Sequence, residues 1–353
     1  MKLNKDGLIL ILISVGALLA GIFSQSIELV MYLGFLMAAY SVIGNDVIQT
    51  LGTFLSSNEG KKWWVLALFA SSILSIALIY GWYLNDGDVS YGRLIGDPEV
   101  NGFENPKYAE PKDIEGFGWP YLLPPIVLLV ITRLGVPVST SFLILTFFNP
   151  KNLYDMVVKS MSGYLVAFVA AVVIYALITK SLESRFQKTG PTENELKGWT
   201  IAQWCSTGFL WSQWLIQDFA NIYVYLPRQV DFTVLILTLI VFWVLIGYIF
   251  YSKGGAIQAI VKAKTNTADI RSATIIDLTY GLVLFFFKEL NNVPMSTTWV
   301  FIGLLAGREL SIRYIGGGKI EKATLVDLFR DLLKVFLGLA ISVALVYLIK
   351  VLV

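Results

Sequence analysis

Long apolar runs separated by short polar stretches make up almost the whole chain. A run of ~20 apolar residues is long enough to cross a bilayer as one helix. The sequence predicts such spans over residues 7–24, 27–55, 63–84, 153–180, 202–226, 230–251 and 335–353. Two further regions, 119–148 and 273–306, each consist of shorter apolar segments with a polar interruption. Backbone of that kind is tolerated in a membrane only around a protein-lined cavity, so both regions predict hairpins or discontinuous helices.

These runs predict an all-α polytopic membrane protein, and the composition agrees. Hydrophobic residues make up 56% of the 353 positions and charged residues 15%, whereas soluble domains carry about 25% charge. A membrane β-barrel would show short alternating segments instead. The sequence has no histidine, which excludes imidazole proton relays, and its one cysteine excludes an intramolecular disulfide. The net charge of +2 says little about partners. We expect membrane lipid around the helices and no nucleic acid.

The second span turns polar without leaving the hydrophobic stretch. A carboxylate there costs roughly a few kcal/mol or more unless something neutralises it. At helical spacing the polar side chains fall on or beside one face. Gly44 and Gly52 bracket them and allow the helix to break, which would expose carbonyl oxygens to a cation. The alternative is a polar kink satisfied by neighbouring helices. The candidate cation ligands of this span are Asn45, Asp46, Gln49 and Thr53.

The second half of the chain repeats the motifs of the first half in the same order. The stretch 45–49 has Asp46 as its second residue and matches 217–221, which has Asp218 at the same place. The first stretch begins with asparagine and ends with glutamine, and the second has these two amide residues in the opposite order. The stretch 136–141 matches 293–298, and both contain proline followed by serine and threonine. We therefore add three candidate cation ligands from the second copy: Gln217, Asp218 and Asn221. The two acids, Asp46 and Asp218, are the predicted direct ligands of Na⁺, or the groups that bind a proton.

The charges of two loops predict that the halves are inverted. The loop 85–118 is acidic and follows the span 63–84, the next span after Asp46. The loop 252–271 is basic and follows the span 230–251, the next span after Asp218. Lys and Arg favour the cytoplasmic side, so equivalent spans cross the membrane in opposite directions. We expect two inverted repeats, residues 1–185 and 195–353, with discontinuous helices and a site at the membrane midplane between them.

The proline–serine–threonine turns are suited to an anion. Proline pre-sets the first turn of a helix, where backbone N–H groups point outward. Hydroxyls together with a helix N-terminus bind an anion without a cationic side chain. The alternative is that these hydroxyls only cap helix ends. Two matching copies favour a site in which both turns face each other. The candidate substrate ligands are Ser139, Thr140, Ser141, Ser296, Thr297 and Thr298.

Together these motifs resemble the inorganic phosphate transporter family, which includes bacterial sulfate permeases. That family repeats a Gly-Ala-Asn-Asp-Val-Ala-Asn signature and pairs each copy with Pro-Val-Ser-Thr-Thr-His. The matching stretches here are 44–49 with the Gly-Thr at 52–53, then 137–142, 217–221 and 294–299. The departures from the family pattern include Phe142 and Trp299 in place of histidine, Gln217 in place of asparagine, Val224 in place of glycine and Gly44 in place of alanine.

The resemblance implies a secondary active transporter, and not an enzyme, in the cell (inner) membrane. It implies symport of an inorganic oxyanion with Na⁺ or H⁺ by alternating access, with phosphate ahead of sulfate and no cofactor besides the coupling ion. The resemblance leaves open whether the protein forms a homodimer. Three other classes are alternatives: an anion channel, an intramembrane enzyme with Asp46 and Asp218 as a protease pair, and a purely structural membrane protein. Ser139 has no histidine partner for nucleophilic catalysis, and two intramembrane acids are costly without a task.

Overall fold

The structure is a computed structural model that describes residues 5–24, 26–97, 101, 103–133, 138–178, 186, 189–253, 269–290, 295–315 and 322–352. This part of the chain contains helices and turns and no strand. Five helices in it are long and apolar enough to cross a membrane: Ile27–Val47, Trp63–Leu84, Pro150–Leu177, Phe232–Tyr251 and Ile270–Lys288. Shorter apolar helices lie at Ser14–Phe23, Trp119–Thr132 and Leu332–Leu348. The prediction of an all-α multi-pass membrane protein is confirmed.

The helices of the first half follow the predicted apolar runs closely. They are α1 (Lys5–Phe23), α2 (Ile27–Val42), α3 (Ile48–Ser57), α4 (Trp63–Leu84), α5 (Leu123–Arg133), α6 (Thr140–Phe148) and α7 (Leu153–Ile178). The helices α5 and α6 are the two short segments predicted on either side of the polar interruption. Residues 134–137 of that interruption, Pro137 included, lie outside the described residues.

The described part of the second half contains six helices. They are α8 (Glu193–Asp218), α9 (Ala220–Tyr223), α10 (Phe232–Tyr251), α11 (Ile270–Leu290), α12 (Thr297–Ile315) and α13 (Lys322–Leu352). The helix α8 begins earlier than the apolar run because Thr192 and Glu195 form a capping box at its start. Residues 291–294, Pro294 included, lie outside the described residues.

The helix carrying Asp46 is distorted without being unwound. Residues Ile43–Val47 form a π-helical turn between α2 and α3, and Gly44 lies inside this turn. Gly52 lies in the regular part of α3, so the helix does not use the break that this glycine would allow. A π-helical turn widens the helix by one residue and is frequent at functional sites. Asp218, in contrast, is the last residue of α8 and precedes the short helix α9.

The helices α7 and α12 approach each other closely because glycines line their contact. A Cβ atom added at Gly303 would clash with the carbonyl oxygen of Tyr164, and one at Gly307 would clash with that of Phe168. Small residues of this kind allow helix backbones to approach in a membrane. On α7, Ser160 accepts a hydrogen bond from the backbone N–H of Ser296 over 2.8 Å, which fixes the start of α12 against α7.

The acidic segment after α4 is folded onto the second half of the chain. The backbone N–H of Val230 donates to Gly87 O over 3.1 Å, and the Trp82 indole N–H donates to Val230 O over 2.7 Å. The backbone N–H of Arg228 donates to Glu110 Oε1 over 3.0 Å. The described part of this segment therefore covers one end of the helical bundle.

Candidate functional site

Two buried carboxylates each accept a hydrogen bond from the threonine that begins a short helix. Thr140 Oγ1 donates to Asp46 Oδ2 over 2.7 Å, and Thr297 Oγ1 donates to Asp218 Oδ2 over 2.5 Å. Thr140 is the first residue of α6, and Thr297 is the first residue of α12. In each case acid and threonine come from the same half of the chain. The two halves therefore build the same acid–hydroxyl unit.

The two units are joined through Asn221. Its Nδ2 donates to Thr140 Oγ1 over 2.8 Å and to Asp218 Oδ1 over 3.1 Å. Ser141 Oγ of the first half also donates to Asp218 Oδ1, over 3.2 Å. Asp46 and Asp218 lie close enough for their negative charges to repel each other. Two buried like charges need a cation or a proton to offset this repulsion.

The starts of α6 and α12 lie against each other with matching contacts. Ser141 Oγ donates to Met295 O over 3.4 Å, and Thr298 Oγ1 donates to Val138 O over 3.5 Å. Each contact runs from the hydroxyl of one turn to the carbonyl at the start of the other. The structure thus brings together the two turns that the sequence singled out.

Ser139 and Ser296 occupy the cap positions of these helices. Ser139 Oγ accepts the backbone N–H of Phe142 over 3.2 Å, and Ser296 Oγ accepts that of Trp299 over 3.3 Å. Capping was the structural alternative to anion binding. The two roles are compatible, because a hydroxyl that accepts a hydrogen bond still has a hydrogen to donate. Free backbone N–H groups in the first turn add further donors.

The amides of the first signature contact the first acid. Asn45 Nδ2 donates to Asp46 Oδ1 over 2.6 Å and to Val138 O over 3.3 Å. Gln49 Nε2 donates to Asn45 Oδ1 over 3.2 Å and so supports Asn45. Asn45 is thus a direct neighbour of the acid, and Gln49 holds it in place.

The amides of the second signature leave two oxygen atoms unsatisfied. Gln217 Nε2 donates to the carbonyl of Leu284 over 3.4 Å rather than to Asp218. Gln217 Oε1 and Asn221 Oδ1 are both buried and have no hydrogen-bond partner among the described residues. Buried amide oxygens beside a carboxylate are oxygen ligands of the kind that hard cations prefer.

Thr53 lies away from Asp46 and contacts a third buried acid. Its hydroxyl donates to Asp277 on α11, which also accepts Thr207 Oγ1 over 2.5 Å and Gln203 Nε2 over 3.5 Å. Asp277 is fully buried. The sequence showed this acid in an apolar segment, but its partners lie far away along the chain and no local pattern indicated them.

Aromatic side chains occupy the two positions at which the family that the motifs resemble has histidine. The rings of Phe142 and Trp299 pack edge to face at a centroid distance of 5.6 Å, and both are buried. Tyr280 OH donates to Thr297 O over 3.0 Å and lies within electrostatic reach of both acids. The acid–hydroxyl units therefore adjoin apolar walls, which strengthens electrostatic interactions there.

This geometry defines a multi-pass α-helical membrane protein with a polar site buried between two helix N-termini. A solved structure of a sodium-dependent phosphate transporter superposes on the chain with a TM-score of 0.56, covering 93% of this chain and 100% of the other. The sequence identity is 15%, so the likeness shows that the two proteins share a fold. No protein-family model and no curated protein sequence matches the chain.

Proposed function

We propose that the protein is a secondary active transporter that carries an inorganic oxyanion, phosphate first, in symport with Na⁺ or H⁺. The observation that carries this proposal is the pair of acid–hydroxyl units joined by Asn221. The solved structure with the same fold is a sodium-dependent phosphate transporter, which supports phosphate as substrate and Na⁺ as coupling ion. The protein would act without enzymatic chemistry.

Different residues of the two halves would bind the cation and the anion. A cation held by Asp46, Asp218 and the oxygen atoms of Asn221 and Gln217 would neutralise the acids. The hydroxyls of Ser139 and Ser296, with the helix N-terminal N–H groups, would then accept a dianion. Each ion lowers the electrostatic cost of binding the other, which is the physical basis of coupling.

The matching contacts at the starts of α6 and α12 support two inverted repeats, residues 1–185 and 195–353. In such transporters one repeat rocks against the other around a fixed site at the midplane. The joint between the repeats here would include the hydrogen bond from Asn221 to Thr140. Alternating access would require this joint to open on one side at a time.

Uptake into proteoliposomes tests the proposal. Labelled phosphate should accumulate in a saturable manner with an inward Na⁺ or H⁺ gradient and stop when the gradient is removed. Sulfate uptake without phosphate uptake would identify a sulfate permease of the same fold. Ohmic current without dependence on the gradient would identify an anion channel. Absence of transport for all tested oxyanions would contradict the proposal.

Asparagine variants of the two acids supply the first prediction. Asp46→Asn and Asp218→Asn should each lower ion-coupled uptake by about 100-fold or more, since each variant removes a buried charge that a cation would pair. The folded protein should persist in detergent, because a buried charge is removed rather than created. Asp113→Asn, an exposed position, is the matched control. Normal uptake with normal ion dependence in both site variants would show that the acids are structural.

A further inference from the structure

A group of basic side chains lies beside the site and is not used by the acid–hydroxyl units. Arg93 belongs to the folded acidic segment and is 1% exposed, and Lys159 belongs to α7 and is 7% exposed. Lys107, which is half-buried, lies in the same segment as Arg93. We call Arg93, Lys107 and Lys159 the basic group. Burying Lys and Arg is costly unless negative charge compensates the buried cations.

Two backbone hydrogen bonds hold the two members from the acidic segment together. The N–H of Lys107 donates to Ile95 O over 2.8 Å, and the N–H of Tyr108 donates to Leu94 O over 2.9 Å. This pairing places Lys107 beside the stretch that contains Arg93. Burial lowers the pKa of Lys107, nearby Asp155 raises it, and the positive charge of Arg93 lowers it.

Lys159 lies on the face of α7 that connects this segment to the start of α12. The buried face of α7 includes Met156, Lys159 and Ser160 at helical spacing. Met156 Sδ accepts a hydrogen bond from Tyr108 OH over 3.6 Å, and Ser160 Oγ accepts the N–H of Ser296 over 2.8 Å. Lys159 is therefore placed between the acidic segment and one of the two hydroxyl turns.

The three cations act on one another, and one of them acts on the central site. Lys159 is within electrostatic reach of both Arg93 and Lys107. Arg93 is also within electrostatic reach of Asp218. Arg93 thus links the basic group electrostatically to the acid of the second half at the proposed transport site.

We propose that Arg93, Lys107 and Lys159 form a second oxyanion site, which receives a divalent tetrahedral oxyanion before it reaches Asp46 and Asp218. This inference rests on the proposed transport function. The planar guanidinium of Arg93 fits two oxygens of such an anion, and lysine ammonium groups supply point charges. A dianion would reduce the repulsion among these three cations, and the basic group would attract it before it meets the two acids, which repel anions.

Uptake kinetics with charge-removing variants test this site. Lys159→Gln and Arg93→Gln should each raise the KM for phosphate or sulfate by about tenfold, the usual loss when a charged hydrogen-bond donor is removed. Lys159→Arg should keep the KM within about threefold of the parent value, because the charge is retained. Lys112→Gln is the matched control, since Lys112 is an exposed lysine of the same segment that pairs with Glu110.

The Na⁺ dependence separates this role from a structural one. At saturating oxyanion, the Na⁺ concentration for half-maximal uptake should be the same in Lys159→Gln and in the parent protein. A change in Na⁺ dependence with an unchanged oxyanion KM would mean that the basic group only tunes Asp218, and would overturn the second site. An oxyanion KM within twofold of the parent in both glutamine variants would overturn it as well.

Labelling of the unmodified chain gives a test that needs no folded variant of the basic group. Inorganic phosphate should slow acetylation of Lys107 by acetic anhydride at least threefold while leaving Lys112 unaffected, read out by peptide mass spectrometry. Protection should persist in Asp46→Asn, in which the central site is disabled.

Measurement in lipid-free detergent separates inorganic phosphate from a lipid headgroup, and protection only by added anionic lipid would contradict the proposal. Equal labelling with and without phosphate would overturn the second site alone, whereas absence of oxyanion uptake by the parent protein would overturn the transport function.

Discussion

Thr140 holds the central position among the residues of the site. Its hydroxyl donates to Asp46 and accepts from Asn221, so it takes part in both acid–hydroxyl units. Thr297 has the equivalent bond to Asp218 without an equivalent bridge in the described residues. The joint between the two halves therefore depends on a hydroxyl of the first half and an amide of the second.

The role of Thr140 is tested with a valine variant. Thr140→Val keeps the shape of the side chain but removes the donor to Asp46 and the acceptor for Asn221. We expect about a tenfold loss or more in the Na⁺ or H⁺ activation of uptake, since hydrogen bonds to charged groups contribute about 1.5–3 kcal/mol. Thr140→Ser should retain most activity. Uptake and its ion dependence are measured in proteoliposomes.

The same helix offers a matched control for this variant. Thr146 is also buried in α6, and its Oγ1 has no hydrogen-bond partner among the described residues. Thr146→Val should leave ion activation unchanged and keep or raise stability, because it removes an unsatisfied hydroxyl. Similar losses in both valine variants would show that α6 tolerates no such change, and would remove the special role of Thr140.

Local sequence patterns revealed some site residues and missed others for a physical reason. Asp46 and Asp218 stood out because an acid in an apolar run is costly and the pattern occurs twice. Thr53 was grouped with Asp46 by helical spacing, yet its partner is Asp277, 224 positions away. Lys159 is buried near the start of α7, and nothing in the local sequence indicates this burial. Contacts between distant helices decide such roles, and no spacing rule indicates them.

At the scale of helices, the pair α7–α12 fixes the start of α12 at the site. Its close approach depends on Gly303 and Gly307, whose missing side chains admit the backbone of α7. Ser160 of α7 then reaches the backbone N–H of Ser296. The position of one hydroxyl turn is thus set by helix packing as well as by its own cap.

An alanine variant tests this packing. Gly303→Ala should lower the free energy of unfolding by about 1–3 kcal/mol, because its Cβ would clash with the carbonyl of Tyr164 on the facing helix. Uptake should fall with it, since α12 carries Thr297. Gly247→Ala in α10 is the control: nothing lies within 4 Å of the added Cβ, and replacing a helical glycine stabilises by about 0.5–1 kcal/mol. Thermal unfolding in detergent distinguishes the two, and equal stability would show that α7 and α12 can separate without cost.

The contact between Glu110 and Arg228 gives the acidic segment a defined response to pH. Burial raises the pKa of Glu110, but the Arg228 backbone N–H and the Lys112 ammonium lower it more, so its pKa lies below the ordinary 4.5. A carboxyl with a depressed pKa stabilises the folded state above its unfolded pKa, and this contribution is lost as pH falls through the folded value.

We therefore expect docking of the acidic segment to weaken as pH falls below 4.5. Protection of the Arg228 N–H from hydrogen exchange, relative to the intrinsic exchange rate at each pH, should fall in this range more than in Glu110→Gln, which has no ionisable group at that position. Other carboxyls titrate over the same range, so the comparison with the variant isolates Glu110. Glu104→Gln, at an exposed position, should follow the parent protein. Identical pH profiles for the parent and Glu110→Gln would contradict the prediction.

The apolar pattern predicted most helices because the bilayer requires long uninterrupted runs. It placed α4, α7 and α10 within a few residues, and it indicated the short helices α5 and α6. It missed the start of α8, where a capping box in polar sequence begins the helix before the apolar run. It also allowed a break at Gly52, where α3 is regular. Glycine permits a break, but backbone hydrogen bonding without water opposes one.

At the scale of the whole molecule, the two halves meet at charges that neither half neutralises alone. Asp46 comes from one half and Asp218 from the other, and they repel each other across the joint. A cation at this joint would stabilise the assembled molecule and lower the cost of admitting an oxyanion. Binding of the two ions should therefore be reciprocal: each should raise the affinity of the other by the same factor.

Thermal unfolding of the purified protein measures this coupling without transport. At 100 times its Kd, a ligand that binds only the folded state adds about 2.7 kcal/mol of stability. NaCl in place of choline chloride at equal ionic strength should raise the unfolding temperature, and the further rise caused by phosphate should be larger when Na⁺ is present. Asp46→Asn should abolish the Na⁺ shift and the Na⁺-dependent part of the phosphate shift, whereas Asp113→Asn should keep both. If the phosphate shift follows pH and ignores Na⁺, the coupling ion is H⁺. Phosphate shifts that are equal with and without Na⁺ at every pH would show that the two ions bind independently, and the acids at the joint would then have no part in coupling.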